Sequence, residues 1–324
     1  MPIQRYDLGE FLQTTFQSSE PVVEGLINLE QNSLLVATQK AGKTMLSCQL
    51  ALCVSHGVDF LRWRVPQARK VLYFAFEGSD AAIQRRLRRQ SAGLGITEIK
   101  ADNLVLFSTP YLFIAHEPVL KALDLLVAQE KPDLIVFDPL YRLLAGGSIT
   151  SDEVVMGMTG ALMALSMTHH HATWLPTHEH RTKRDTWGEQ YEPDLERYAG
   201  SYVLAAWCDA MFGLTFDRQT KKAEFLSHFE REEEGEPRDA LSLKLLDTPD
   251  KLVFELGIAE RILLKLPQLA GLGLRAAARD MGLNFESFRS AAQELAGEGR
   301  LVLYPQGPGK ETILGLPTRS IDGA

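Results

Sequence analysis

The chain has 324 residues, with 34 Lys and Arg against 42 Asp and Glu, a net charge of −8. Apolar residues make up 45% and charged residues 23%, ordinary globular values that exclude a wholly disordered, collagenous or coiled-coil chain. At roughly 150 residues per domain the length allows about two domains, and the acidic balance argues against a surface that binds nucleic acid all over while leaving room for a local basic channel.

Residues 1–20 are mixed and polar and read as an arm or a short helix. From Ser33 an alternation of strands and helices begins. Ser33–Ala37 is an apolar strand, and Lys43–Gly57 a helix with Met45, Leu46, Leu50 and Val54 on one face. Strands follow at Lys70–Phe76, Leu104–Ser108, Leu134–Phe137 and Thr173–Pro176, with helices at Asp80–Leu94, Val119–Gln129 and Val154–His170 between them. Tyr202–Trp207 is helical, and Ala210–Phe216 and Lys222–Phe229 read as strands. Apolar strands alternating with helices predict an α/β core, a mostly parallel sheet covered on both faces. Glu230–Asp239 holds five Glu, one Asp and two Arg, a solvated turn or flap, and Ala240–Leu256 reads as a hairpin. From Ile258 three short helices and a second hairpin suit a small winged-helix-like module. The expected division is an arm at 1–20, a core with a hairpin extension at 21–257, and the module at 258–324.

Cys48, Cys53 and Cys208 sit in apolar segments without metal-ligand spacing, which argues against a disulfide scaffold and for a reducing compartment. No apolar run approaches the ~20 residues of a spanning helix, and MPIQRYDLGEFLQ lacks the regions of a signal peptide. The expectation is a soluble cytoplasmic protein without a membrane partner.

The strongest motif is Ala37-Thr38-Gln39-Lys40-Ala41-Gly42-Lys43-Thr44, between a strand and a helix, followed by Met45. That is the context of a phosphate-binding loop for ATP: backbone N–H groups from Lys40 to Met45 wrap the phosphates, Lys43 supplies a charge, and Thr44 an oxygen for Mg2+. The usual first glycine is Ala37 here, which predicts a slightly reshaped loop because alanine resists positive φ. In Pro132–Leu140, four apolar residues end in Asp138, a carboxylate at the C-terminal edge of a parallel strand. It either holds Mg2+ or simply ends the strand at an Asp-Pro turn. Glu77 closes the strand before it and either orients a water or caps a surface helix. His178 ends the Thr173–Pro176 strand, where a neutral imidazole can reach a γ-phosphate; Arg181 and Lys183 follow it. Zinc is an alternative raised by His169, His170, His171, His178 and His180, and disfavoured by the lack of a nearby Cys.

As a set, KAGKT, VLYFAFEGSD with RRLRR after it, LIVFDPL, and THEHRTK followed by Ala199-Gly200-Ser201 and Cys208-Asp209-Ala210 resemble the RecA-like ATPases of the RepA type. That group takes in hexameric replicative helicases of plasmids and phages and related AAA_25 proteins. The resemblance covers about residues 20–230. It implies that Gly42, Lys43 and Thr44 bind nucleotide, Glu77 is the catalytic glutamate, Asp138 the Walker B acid and His178 a sensor. By position alone it makes Arg218 the arginine offered to a neighbouring subunit, with the expected strand order setting it at the far side of the sheet. A hexameric ring acting on single-stranded DNA is implied with it.

Two loops, Leu144–Asp152 and Arg181–Gly200, stand where such rings touch DNA, though the second is largely acidic; DNA contact and a solvated loop remain level. Arg85, Arg86, Arg88 and Arg89 form a basic patch on one helix and read best as a subunit interface. The C-terminal module carries Arg275, Arg279, Arg289 and Arg300, with Gly307–Lys310 at a wing tip, yet eight Lys and Arg stand against seven Asp and Glu over 258–324. DNA binding and protein docking are both open for it. The leading expectation is an ATP-hydrolysing motor on DNA, a replicative helicase or helicase-like ATPase. The alternative is a nucleotide-dependent switch that does not unwind duplex.

Overall fold

The structure, a computed structural model, describes residues 5–15, 19–144, 146–178, 202–230, 240–306 and 311–317. A short helix, α1 (Leu8–Gln13), starts at Asp7, whose carboxylate accepts from the Glu10 N–H at 2.8 Å. A ribbon follows, β1 (Pro21–Val23) and β2 (Ile27–Asn28), which the sequence pattern does not announce. Then come β3 (Asn32–Ala37), α2 (Lys43–His56), β4 (Val71–Ala75), α3 (Asp80–Gly93), β5 (Leu104–Ser108), α4 (Glu117–Glu130), β6 (Leu134–Asp138), α5 (Asp152–His169), β7 (Ala172–His178), α6 (Tyr202–Trp207) and β8 (Ala210–Phe216). Three further strands follow, β9 (Lys222–Glu230), β10 (Leu241–Asp247) and β11 (Leu252–Leu256). The chain ends in α7 (Ile258–Leu269), α8 (Leu274–Asp280), α9 (Phe285–Gly297), β12 (Val302–Tyr304) and β13 (Ile313–Gly315).

One nine-stranded sheet organises the core, in the order β11-β10-β9-β8-β3-β7-β6-β4-β5. The six strands from β8 to β5 are mutually parallel, and β9, β10 and β11 add to them antiparallel. The fold is therefore α/β with a mostly parallel sheet, as the alternating pattern predicts. The 240–256 hairpin extends this sheet rather than standing apart.

The parallel strands bury both faces, and successive residues sort between them. Leu35, Tyr73 and Val136 join α2 and Phe254 in one core, while Leu34, Val36, Phe74, Ile135 and Phe137 join Leu123 of α4 and Leu162 of α5 in the other. β11 curls back over the α2–α3 face. Gln49 of α2 donates to the Phe254 carbonyl at 2.8 Å and accepts from the Phe254 N–H at 2.9 Å, which satisfies an edge strand with a side-chain amide. A third apolar cluster, with Ile262, Phe288, Leu295 and Leu314, belongs to α7–α9 and the β12–β13 ribbon. Among the described residues no helix is long and apolar enough to cross a membrane.

Candidate active site

The phosphate-loop sequence leaves the C-terminal end of β3 in the middle of the sheet. Ala37 is regular strand, level with His178 of β7 and Leu214 of β8. The reshaping expected at Ala37 does not occur there. Positive φ falls instead on Lys40 (66°) and Gly42 (99°). Gly42 is required twice over: its φ is left-handed, and a Cβ on it would stand 2.9 Å from Phe254 Cζ of β11. Ala41 is buried behind the turn.

Lys43, 6% exposed, reaches back over the turn. Its ammonium donates to the carbonyls of Ala37 at 2.9 Å and Thr38 at 3.0 Å, and lies 2.9 Å from His178 Nδ1. Thr44 starts α2 beside it and donates to Asp138 Oδ1 at 3.3 Å. Asp138 closes β6, two strands from β3, with β7 and its His178 in between. Its other oxygen accepts from the Tyr73 hydroxyl at 2.6 Å, and the Cys48 thiol approaches Tyr73 at 3.3 Å. Burial raises the Asp138 pKa above its ordinary value; the hydrogen bonds from Tyr73 and Thr44 and the charge of Arg86 offset only part of that. The Tyr73 hydroxyl is pushed well above its usual value by burial first and by Asp138 second.

Glu77 stands just past β4, half-exposed. One carboxylate oxygen, Oε1, accepts from the Tyr141 hydroxyl and from Arg142 Nη2 at 3.4 Å. The Arg142 guanidinium also lies over the Tyr141 ring, 4.9 Å from its centre.

These groups line one cleft of about 490 Å³. Of the residues expected from sequence, Lys40, Gly42, Lys43, Thr44, Met45, Glu77, Asp138 and His178 all face it. Arg218 does not: it is exposed on the turn after β8, and β8 is the immediate neighbour of β3 rather than a strand at the far side of the sheet. Arg181, Lys183 and the 181–200 loop lie outside the described residues, as does the 307–310 wing tip. Sequence reasoning missed Tyr141 and Arg86, both at the cleft. Arg86 was visible in the RRLRR run but read as part of a patch. The patch divides instead: Arg86 faces the cleft, and Arg89 donates to Asp247 at 2.6 Å and to the Thr248 carbonyl in the β10–β11 turn.

The donor set fits a magnesium nucleotide. Thr44 and Asp138 place a hydroxyl and a carboxylate oxygen together, the hard ligands that Mg2+ prefers. The left-handed turn at Gly42 opens α2 with backbone N–H groups suited to phosphate. The histidine run goes to separate partners: His169 to Asp124 at 2.7 Å, His170 to Glu30, and His171 into the interior, where burial lowers its pKa to about 3.

A family model described as an AAA domain, AAA_25, matches residues 3–184, a stretch that holds the loop, Glu77, Asp138 and His178. The chain belongs to this family. It is a RecA-like P-loop ATPase of the AAA_25 type. Among solved structures, a KaiC-like protein of the hyperthermophilic archaeon Pyrococcus horikoshii OT3 is similar, with a TM-score of 0.47 and 14% identity over 72% of this chain and 93% of that one. Among curated proteins, none matches.

Proposed function

We propose that the chain is a cytoplasmic ATP-driven motor that acts on single-stranded DNA as a hexameric ring, a replicative helicase or helicase-like ATPase of a plasmid or phage. The observation that carries the ATPase half is the convergence of Lys43, Thr44, Asp138, Glu77 and His178 on one cleft at the C-terminal edge of a parallel sheet. In this reading Lys43 clamps the γ-phosphate, Glu77 aligns and deprotonates the attacking water, and His178 senses the phosphate. Mg2+, held by Thr44 and Asp138, would neutralise charge on the phosphate oxygens. Arg86 in the same cleft and Arg218 from a neighbouring copy are the two candidates for the cation at the transition state. The DNA half rests on the family resemblance of the motif set.

The test is ATP turnover by the purified chain with and without single-stranded DNA, paired with strand displacement on a forked duplex. Stimulation and displacement support the motor. Turnover indifferent to DNA, without displacement, favours the nucleotide-dependent switch.

We read residues 21–257 as the ATPase core, 1–20 as an arm, and 258–324 as a winged-helix-like unit that docks protein rather than DNA. Three of its arginines are engaged internally. Arg275 lies over the Phe285 ring at 5.0 Å, Arg289 pairs with Glu286 at 3.0 Å, and Arg300 pairs with Glu298 at 3.5 Å and Glu260 at 3.8 Å. Such arginines are poorly placed to release counterions from DNA.

A further inference from the structure

Behind the nucleotide cleft, four side chains from three elements bond one another in a closed set. Thr44 and Cys48 stand four residues apart on α2 and share one face, and α2 packs against β4 and β6. Thr44 donates to Asp138 Oδ1 at 3.3 Å, and the Cys48 thiol donates to the Tyr73 hydroxyl at 3.3 Å. The Tyr73 hydroxyl in turn donates to Asp138 Oδ2 at 2.6 Å. Strand register accounts for the reach. Ala75 of β4 pairs with Asp138 of β6, so Tyr73, two residues back, points to the same face, and its phenol runs along the strand to the carboxylate.

Tyr73 is 1% exposed and Asp138 3% exposed, and among the described residues Tyr73 is the only donor to Oδ2. A phenol carries one proton. The thiol fills the acceptor side of its oxygen, so that proton goes to Asp138. Oδ2 is thereby taken, and Oδ1 is left beside the Thr44 hydroxyl at the cleft. A hydrogen bond to a carboxylate is roughly twice as strong as a neutral one, and a buried oxygen stripped of its donor is destabilising. The last torsion of an aspartate is broad, so without such a bond nothing selects which oxygen faces Thr44.

We propose that Tyr73 is a positioning residue for the metal site: its hydroxyl pins one oxygen of Asp138, so that the other stands beside Thr44 as a preset pair of ligands for the divalent cation of the nucleotide. This rests on the reading of Thr44 and Asp138 as the residues that hold the metal. Without the hydroxyl the carboxylate turns, and metal binding has to restore its pose.

The test uses the full chain, Mn2+ as a spectroscopic substitute for Mg2+ with the same preference for oxygen ligands, and a non-hydrolysable imido analogue of ATP. Free Mn2+ is read by its electron paramagnetic resonance signal. Tyr73→Phe keeps the buried ring and removes only the hydroxyl. With the analogue present it should bind Mn2+ about 10- to 100-fold more weakly than the wild type, while binding the analogue without metal as the wild type does. In steady-state turnover the Mg2+ concentration for half-maximal rate should rise by a similar factor, and excess Mg2+ should recover most of kcat. A purely structural hydroxyl would instead lower metal-free nucleotide binding and turnover together, beyond rescue by Mg2+. Tyr73→Phe with wild-type Mn2+ affinity overturns the role, as does an equal loss of metal-free nucleotide binding or a loss of cooperative melting. Asp138→Asn tests the underlying reading separately. It should also lose Mn2+ affinity, and wild-type affinity there removes Asp138 from the metal site whatever Tyr73→Phe does.

Discussion

Nζ of Lys43 lies 2.9 Å from Nδ1 of His178, joining the helix after β3 to the end of the neighbouring strand β7. An ammonium only donates, so the imidazole nitrogen accepts, and with the Ala37 and Thr38 carbonyls Lys43 finds acceptors in three directions. The lysine is thus anchored before any phosphate arrives, and clamping a phosphate means exchanging one of these acceptors for a phosphate oxygen. Lys43→Ala should abolish ATP hydrolysis and weaken nucleotide binding. His178→Ala, which loses one such bond, should lower turnover by roughly 10- to 100-fold. Steady-state turnover and equilibrium binding of a fluorescent nucleotide check both, and undiminished turnover in Lys43→Ala would remove the loop from the site.

Asp138 is a buried acid whose pKa burial has raised, so it costs the fold stability when ionised. The native state holds its proton to higher pH than the unfolded chain does. The contribution of Asp138 to stability is therefore least unfavourable below the ordinary carboxylate value of 3.8 and becomes a growing cost as pH rises from there through the raised native value. Asp138→Asn removes the charge yet keeps an acceptor for Tyr73. Without Mg2+ at pH 7 this variant should melt about 1–3 °C above the wild type, with the gap closing in acid. Its turnover should drop at least about 100-fold. A lower melting temperature at pH 7 would show that the tyrosine and threonine bonds outweigh burial.

Much of this site is local in origin and was legible for that reason. A turn rich in Gly and Lys between an apolar strand and a helix, and acids closing apolar runs, follow from backbone chemistry within a few residues. Gly42, Lys43, Thr44, Glu77 and Asp138 fall into one cleft because parallel strands all present their C-terminal ends to one edge. What escaped depends on distant packing. Nothing near Phe254 says that β11 curls back onto Gly42, and nothing in the RRLRR run says which arginine turns inward. Tyr141 and Arg142 looked like ordinary residues after Asp-Pro, since their partner Glu77 comes from another strand end. The β1–β2 ribbon is too short to show a period.

Cys48, Cys53 and Cys208 are all buried. Burial pushes the Cys48 thiol up to about 11 and the Cys53 thiol higher still. At pH 8 about one Cys48 in a thousand is thiolate, the reactive form. The native chain should therefore resist a disulfide reagent for thiols at pH 8, and the unfolded chain should react at all three. Fast reaction of one thiol in the native chain, located by mass spectrometry, would show that the α2 face opens.

The last expectation concerns assembly. Arg218 is exposed at the turn after β8, on the same sheet edge as the phosphate loop, and does not face its own cleft, whereas Arg86 does. If the finger comes from a neighbour, the contact is head-to-tail, and closure of such a contact makes a ring. An arginine supplied in this way contributes about 10³–10⁵ in rate. Arg218→Ala and Lys43→Ala chains should each be inactive alone. Mixed, they should regain part of the turnover, because one class of interface then pairs an intact loop with an intact arginine. Turnover by Arg218→Ala at the wild-type rate, or no recovery in mixtures shown by native mass spectrometry to co-assemble, would discard Arg218. The role would then pass to Arg86 within the same chain, whose Arg86→Ala variant could not be rescued by any mixture with Lys43→Ala, since both defects would lie in a copy's own cleft and every site would lack one or the other.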